Sequence, residues 1–228
     1  MDIASQFNVQ NIRALIFDMD GVIVDSEPFH LLAYQEFFQA YDIHYTEEHN
    51  QEFLGSKDLS MAEILIERFN LPQTPHSMVQ AKEEILCRLL KDNSRARPGL
   101  YKVLQEASEL KVPLAVASSA TLKTIELVVD TLSIRQYFGC LTSGDEVKQG
   151  KPAPDIFVLA ASRLGVDPRY CLVIEDTLNG IRAAKAAGMY CLSIPCEATR
   201  HQDHSLADFR LSSLEELDLK PLTRAASL

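Results

Sequence analysis

Asp18 and Asp20 stand two residues apart in "FDMDGVIVDSEP" (17–28), directly after the apolar run "IRALIF" (12–17). Carboxylates at the mouth of a buried strand are costly to keep ionised unless a counter-charge, a proton or a cation shares them. A carboxylate is already deprotonated at neutral pH, so Asp18 makes a nucleophile that needs no partner base. Asp20 is spaced to protonate a leaving oxygen and then to take a proton from an attacking water. Gly21 removes side-chain bulk where the backbone must turn around these groups.

Other polar groups close other apolar runs. Ser118 and Ser119 follow "VPLAVA" (112–117), and Glu175 and Asp176 follow "CLVI" (171–174). Lys151, in "GKPAPDIF", comes after the weaker run "GCLTS" near residue 140. Ligands of parallel α/β sheets bind beyond the carboxyl ends of the strands, so these residues are expected to converge on one rim. Two carboxylates about 4 Å apart repel by roughly 4 kcal/mol at an effective dielectric near 20. One lysine cannot offset three or four of them, so either protons or a cation must join. An all-oxygen, carboxylate-rich cluster suits Mg²⁺, and such sites often share a phosphate ligand. Lys151, the Ser118 hydroxyl and helix N-terminal N–H groups then suit the phosphate oxygens. Ser119 is the adjacent phosphate-binding candidate and also the better helix cap of the two serines.

The elements that must position these residues are legible as well. The runs 12–17, 112–117, 171–174 and 189–194 read as buried strands, with "GCLTS" a weaker one. They lack in-out alternation, as strands covered on both faces do. Between them lie amphipathic helices. Leu122, Ile125, Val128, Val129 and Leu132 share one face after Ser119, Pro154 falls in a first turn, and Gly165 and Gly188 stand just past helix ends. This alternation predicts an α/β fold, a doubly wound, mainly parallel sheet of Rossmann-like type. Residues 27–95 break the rhythm with helical patterns only, Phe29, Leu32, Ala33, Phe37 and Ala40 forming the stripe of the first. The expected organisation is a core from 1–26 and 96–228 with a small α-helical domain inserted at 27–95. "PLTRAASL" reads as a frayed tail.

Composition excludes several classes. A net charge of −10 leaves no basic footprint for nucleic acid or an anionic membrane. No apolar run approaches the roughly 18 residues of a membrane helix, and the N-terminus lacks a secretory layout. The five cysteines form no CxxC pair and read as small core residues in a reducing, cytoplasmic compartment. Monomer is the default.

"DMDGVIVDSEP", "AVASSA", "GKPAPDIF" and "VIEDTLNGIRAAKAAGM" together resemble the four motifs of haloacid dehalogenase-like phosphatases. The helical insertion is similar to the small cap of the branch holding β-phosphoglucomutase and phosphoglycolate phosphatase. The resemblance runs from about Ile12 to Leu219. It implies that Asp18 forms an aspartyl-phosphate, that Asp20 is the general acid/base, and that Ser118 and Lys151 bind the phosphoryl group. It further implies Mg²⁺ held by Asp18, the Asp20 main-chain carbonyl and Asp176, with Glu175 beside or within that shell. The dehalogenases of the family lack the second aspartate, so Asp20 points to phosphoryl transfer from a small phosphorylated metabolite.

Alternatives weigh against parts of this reading. "GDEVKQGKP" superficially resembles a phosphate-binding P-loop, but it has five residues between its glycines instead of four and Pro152 at the metal-binding position. "HQDH" (201–204) lacks further ligands at zinc spacing and reads as a solvated loop. His30 matches a cap histidine of the mutase branch, yet it lies near the apolar face of its helix. A sugar-phosphate mutase is the runner-up, but Asp58 stands where that branch places a cap arginine. Ser56 and Lys57 are the neighbouring substrate candidates. A silent phosphate-binding regulator is a third reading, and it would have no use for an acid/base at position 20.

Overall fold

The computed structural model describes residues 11–53 and 58–223. The chain divides into two compact units, Met1–Asp25 with Arg95–Leu228, and Ser26–Ser94. The first unit is built on a sheet whose strands are β1 (Ala14–Phe17), β2 (Leu114–Ser118), β3 (Phe138–Ser143), β4 (Cys171–Glu175), β5 (Tyr190–Ser193) and β6 (Phe209–Arg210). Their order is β3-β2-β1-β4-β5-β6 and every pairing is parallel. β1, β2 and β4 are buried along their whole length, which is why their sequences are apolar without alternation. Strand order reverses direction at β1, with β2 and β3 to one side and β4 to β6 to the other. That is the switch point at which doubly wound sheets open a crevice.

Helices cover this sheet. The helix at Asp155–Leu164 buries Ile156, Phe157, Ala160 and Ala161 in one cluster with Ile16, Ala115, Ala117, Val173 and Ile181. Its two alanines let the helix approach closely, and burial of each larger side chain contributes about 1.5–3 kcal/mol. The helix stops at Gly165, as its position predicts. The helix after β2, Leu122–Thr131, is capped by Thr121, whose side chain accepts the Thr124 N–H. Ser119, expected to cap it, does not. The Ser118 hydroxyl accepts the Ala120 N–H and so spends residues 118–120 on a turn before the helix begins. The expected fraying of the tail is also corrected in part. Lys220–Thr223 form a short helix with Leu222 buried, and the Leu222 carbonyl accepts from the Asn11 and Ile12 N–H groups.

Among the described residues the second unit holds four helices, α1 (Glu27–Gln39), α2 (Glu47–Gln51), α3 (Asp58–Phe69) and α4 (Pro75–Asn93). α4 starts on a capping box between Thr74 and Ser77, with Pro75 in its first turn. The expected α1 stripe is rotated. Leu32 is 45% exposed and Ala40 is exposed, whereas Ala33, Tyr34, Phe37 and Phe38 are buried. Aromatic packing decides this, because Phe38 stacks on Tyr45 at 4.8 Å and meets Phe37 edge-on at 5.3 Å. Among the described residues no helix is long and apolar enough to cross a membrane.

Candidate active site

Sheet register brings the first and fourth motifs together. Phe17 pairs with Ile174, and the Asp18 N–H donates to the Ile174 carbonyl at 2.9 Å. The next residues on each strand, Asp18 on one and Glu175 and Asp176 on the other, therefore leave the sheet side by side. Lys151 spans them, its Nζ lying 2.6 Å from Asp18 Oδ1 and 2.6 Å from Glu175 Oε1. The other oxygen of Glu175 accepts from the Asp176 N–H at 2.8 Å, the Thr177 N–H at 2.8 Å and the Thr177 hydroxyl at 2.9 Å. Glu175 is fully buried and both its oxygens are engaged.

Asp176 is different. Its Oδ2 accepts the Thr199 hydroxyl at 3.0 Å and the Cys196 thiol at 3.2 Å, while its buried Oδ1 has no hydrogen-bond partner. One oxygen each from Asp18, Glu175 and Asp176 lie within 4.8 Å of one another. Three ionised carboxylates against one ammonium would leave two negative charges in a buried place. Burial first of all, and then Glu175, Asp20 and Asp176, hold the Asp18 carboxyl well above the usual carboxylate range, although Lys151 opposes this. Burial and then Glu175 push Asp176 up to about 7, against the pull of Cys196, Thr199 and Lys151. Burial works against the Lys151 charge, but Asp18 and Glu175 outweigh it and keep the ammonium above its ordinary range. An orphaned buried oxygen, hard oxygen donors and a deficit of two charges all fit a divalent cation.

Two glycines make room for these acids. A Cβ on Gly21, whose φ is 75°, would lie 2.2 Å from Asp176 Oδ2, and one on Gly180 would lie 1.6 Å from Glu175 Oε1. Gly180→Ala is expected to push the Glu175 carboxylate off its four donors. The expected cost is about 3 kcal/mol of stability together with loss of activity, read by thermal melts and rate assays. Unchanged melting would show that Glu175 has freedom which its hydrogen bonds deny it.

The charge imbalance yields a pH prediction. In EDTA the native chain keeps a proton on Asp176 up to about pH 7, whereas the unfolded chain releases it near the ordinary aspartate value of 3.8. Between those values the unfolded state binds fewer protons, so the stability of the metal-free protein is expected to fall as pH rises. Asp176→Asn is expected to flatten that fall and to melt higher than wild type at pH 8 in EDTA, by on the order of 3 kcal/mol. It should also lose any stabilisation by Mg²⁺. A variant no more stable than wild type in EDTA at pH 8 would contradict this.

The Ser118 hydroxyl lies 3.4 Å from Asp20 Oδ2, at the same strand ends as Asp18. Ser119 is exposed on the turn that follows. His30 lies in the helical unit, half-buried, with Nδ1 3.1 Å from the Nζ of the buried Lys82. Ser56 and Lys57 lie outside the described residues. The reading of "HQDH" as a solvated loop is corrected for His204, which is 5% exposed and bonded to Ser193 Oγ at 2.8 Å and to the Thr199 carbonyl at 2.9 Å. Cys196 and Thr199, which sequence reasoning does not mark, are the hydrogen-bond partners of Asp176. Ser193 ends β5 on the same rim, so the strand-end rule applied there pointed to the segment that carries them.

Known proteins match this chain in sequence and in fold. Residues 12–188 match the haloacid dehalogenase-like hydrolase family. Fructose-1-phosphate phosphatase YqaB of Escherichia coli is 36% identical over 81% of this chain and 97% of its own. The phosphorylated carbohydrates phosphatase of Thermotoga maritima is 32% identical over 78% of this chain and 82% of its own. The crystal structure of CbbY from Rhodobacter sphaeroides in complex with phosphate superposes with a TM-score of 0.83 at 32% identity, covering 90% of this chain and 96% of that one. A parallel sheet opening at its switch point onto a lysine-bridged acid cluster is thus this chain's version of a common scaffold, and the chain belongs to the haloacid dehalogenase-like hydrolases, enzymes here acting on a small phosphorylated substrate.

Proposed function

We propose that the protein is a Mg²⁺-dependent phosphatase of small phosphorylated carbohydrates that works through an aspartyl-phosphate on Asp18. The observation that carries this reading is the buried trio Asp18, Glu175 and Asp176 around Lys151, with Asp176 Oδ1 left without a donor. Asp18, Asp176 and the Asp20 carbonyl would hold the cation, and Glu175, saturated by its four donors, would hold Lys151 beside them. When bound, Mg²⁺ neutralises charge on the phosphoryl oxygens.

The chain's own groups account for the rest. A carboxylate oxygen of Asp18 attacks phosphorus, the P–O bond to the leaving group breaks, and Asp20 gives its proton to the departing alkoxide. Water then attacks the same phosphorus, Asp20 takes the proton back, and the Asp18–phosphorus bond breaks to release phosphate. Lys151 and the Ser118 hydroxyl steady the phosphoryl oxygens, which gain negative charge along the way.

Carbohydrate phosphates are the favoured substrate class because two of the relatives are phosphatases named for such compounds. A panel of hexose, hexitol and pentose phosphates, scored by phosphate release with Mg²⁺ and with EDTA, is the test. The expected result is metal-dependent release, fastest with one of these esters. Interconversion of sugar phosphates with a bisphosphate primer and no net release would instead identify a mutase. No turnover with any divalent metal would leave a phosphate-binding protein.

A further inference from the structure

We propose that Thr199 and Cys196 form a clamp that fixes the Asp176 carboxylate for cation binding, with Thr199 the principal positioning residue. The proposal rests on the reading of Asp176 as a metal ligand.

A carboxylate at a strand end turns freely about its last torsion unless something holds it, and an unfixed ligand binds a cation less well. Here both protein donors to Asp176 fall on one oxygen, Oδ2, and leave Oδ1 unpartnered in a side chain that is 2% exposed. Both donors come from one short turn just after β5. The Ile194 N–H donates to the Glu175 carbonyl at 2.8 Å, which ties the start of that turn to the end of β4. The Thr199 and Arg200 N–H groups then close on the Cys196 carbonyl at 3.2 and 2.9 Å.

Thr199 is held from both ends. Its hydroxyl accepts the Cys196 N–H at 3.1 Å, so its own proton is free to point to Asp176. Its carbonyl accepts from His204 Nε2 at 2.9 Å. A carbonyl can only accept, so the His204 proton resides on Nε2. With that proton on Nε2, Nδ1 of this tautomer is an acceptor for the Ser193 hydroxyl, at 2.8 Å. A continuous relay of hydrogen bonds therefore runs from Ser193 on β5 through His204 and Thr199 to Asp176, all four residues being buried. A thiol is the weaker donor, so Cys196 is the secondary contact.

The test is calorimetric titration of the whole protein with MgCl₂. Thr199→Val keeps the shape and removes the hydroxyl. It is expected to weaken Mg²⁺ binding about tenfold or more, whereas Thr199→Ser restores affinity to within about threefold of wild type. Half-activation by Mg²⁺ should shift by the same factor, with kcat at saturating Mg²⁺ falling less. Cys196→Ala, which leaves the Thr199 hydroxyl in place, should weaken binding about threefold. It also keeps the proposal testable should the valine variant not fold. Wild-type Mg²⁺ affinity in Thr199→Val, or in Cys196→Ala where only that variant folds, would overturn the clamp, even if melting temperatures changed. A wild-type protein that binds no Mg²⁺ would instead overturn the metal-site reading beneath it.

Discussion

Asp18→Asn is expected to lower turnover of every phosphate ester by about 10³-fold or more while the protein stays folded. An amide oxygen is a poor nucleophile and would have to acquire charge in attacking phosphorus, where a carboxylate already carries it. The loss should appear in kcat, because Lys151, Ser118 and the remaining acids still meet the phosphoryl group. Stability should move the other way. Asp18 is buried, its charge is disfavoured there by burial and by its acidic neighbours, and Lys151 keeps Glu175 as a partner at 2.6 Å. The variant should therefore melt at or above the wild-type temperature in EDTA. Activity within tenfold of wild type would mean that another group attacks phosphorus.

The second large effect falls on the ammonium. Lys151→Met keeps most of the side chain's volume, including its position against the Phe157 ring, whose centroid lies 4.9 Å from Nζ. It removes the ammonium that Asp18 and Glu175 share, at a site where the lysine side chain is 8% exposed. Breaking a buried ion pair by deleting one partner costs about 3–5 kcal/mol, because the abandoned charges stay desolvated. For a chain of this size that is roughly a 10 °C fall in melting temperature. The fall should be smaller at pH 5 than at pH 8, since protonation of the abandoned carboxylates relieves it, and activity should be lost at both. A uniform small decrease at every pH would show that Lys151 does not carry the balance of charge in the cluster.

Much of this was readable from residue order because the fold obeys two local rules. Continuous apolar runs form the buried strands, and the ends of three of them, β1, β2 and β4, carry Asp18, Ser118, Glu175 and Asp176, where a rule about strand ends places them. Lys151 was legible for a weaker reason, its place in a motif after β3. What was not legible depended on tertiary detail. β6 has two residues, Phe209 and Arg210, too few for any pattern. Ser119 lost the helix cap to Thr121 because the Ser118 hydroxyl took a backbone partner of its own. The buried face of α1 followed ring stacking of Phe38 on Tyr45, which helical periodicity does not contain. His204 was read as solvated because composition alone marks a polar tetrapeptide as surface, although its two ring nitrogens bridge β5 to the turn that holds Asp176. The distinction between Glu175 and Asp176 also required coordinates. The sequence presents two adjacent acids, and only hydrogen-bond geometry separates the saturated one from the one with an idle oxygen.

Covalent capture of the phosphorylated residue decides whether Asp18 is the nucleophile. Protein quenched during turnover with Mg²⁺ and a hexose phosphate, then treated with borohydride, converts an acyl phosphate to an alcohol that peptide mass spectrometry locates. Reduction is expected at position 18 alone, absent with EDTA and absent in Asp18→Asn. Reduction at another carboxylate, or the same yield at position 18 without substrate, would contradict it.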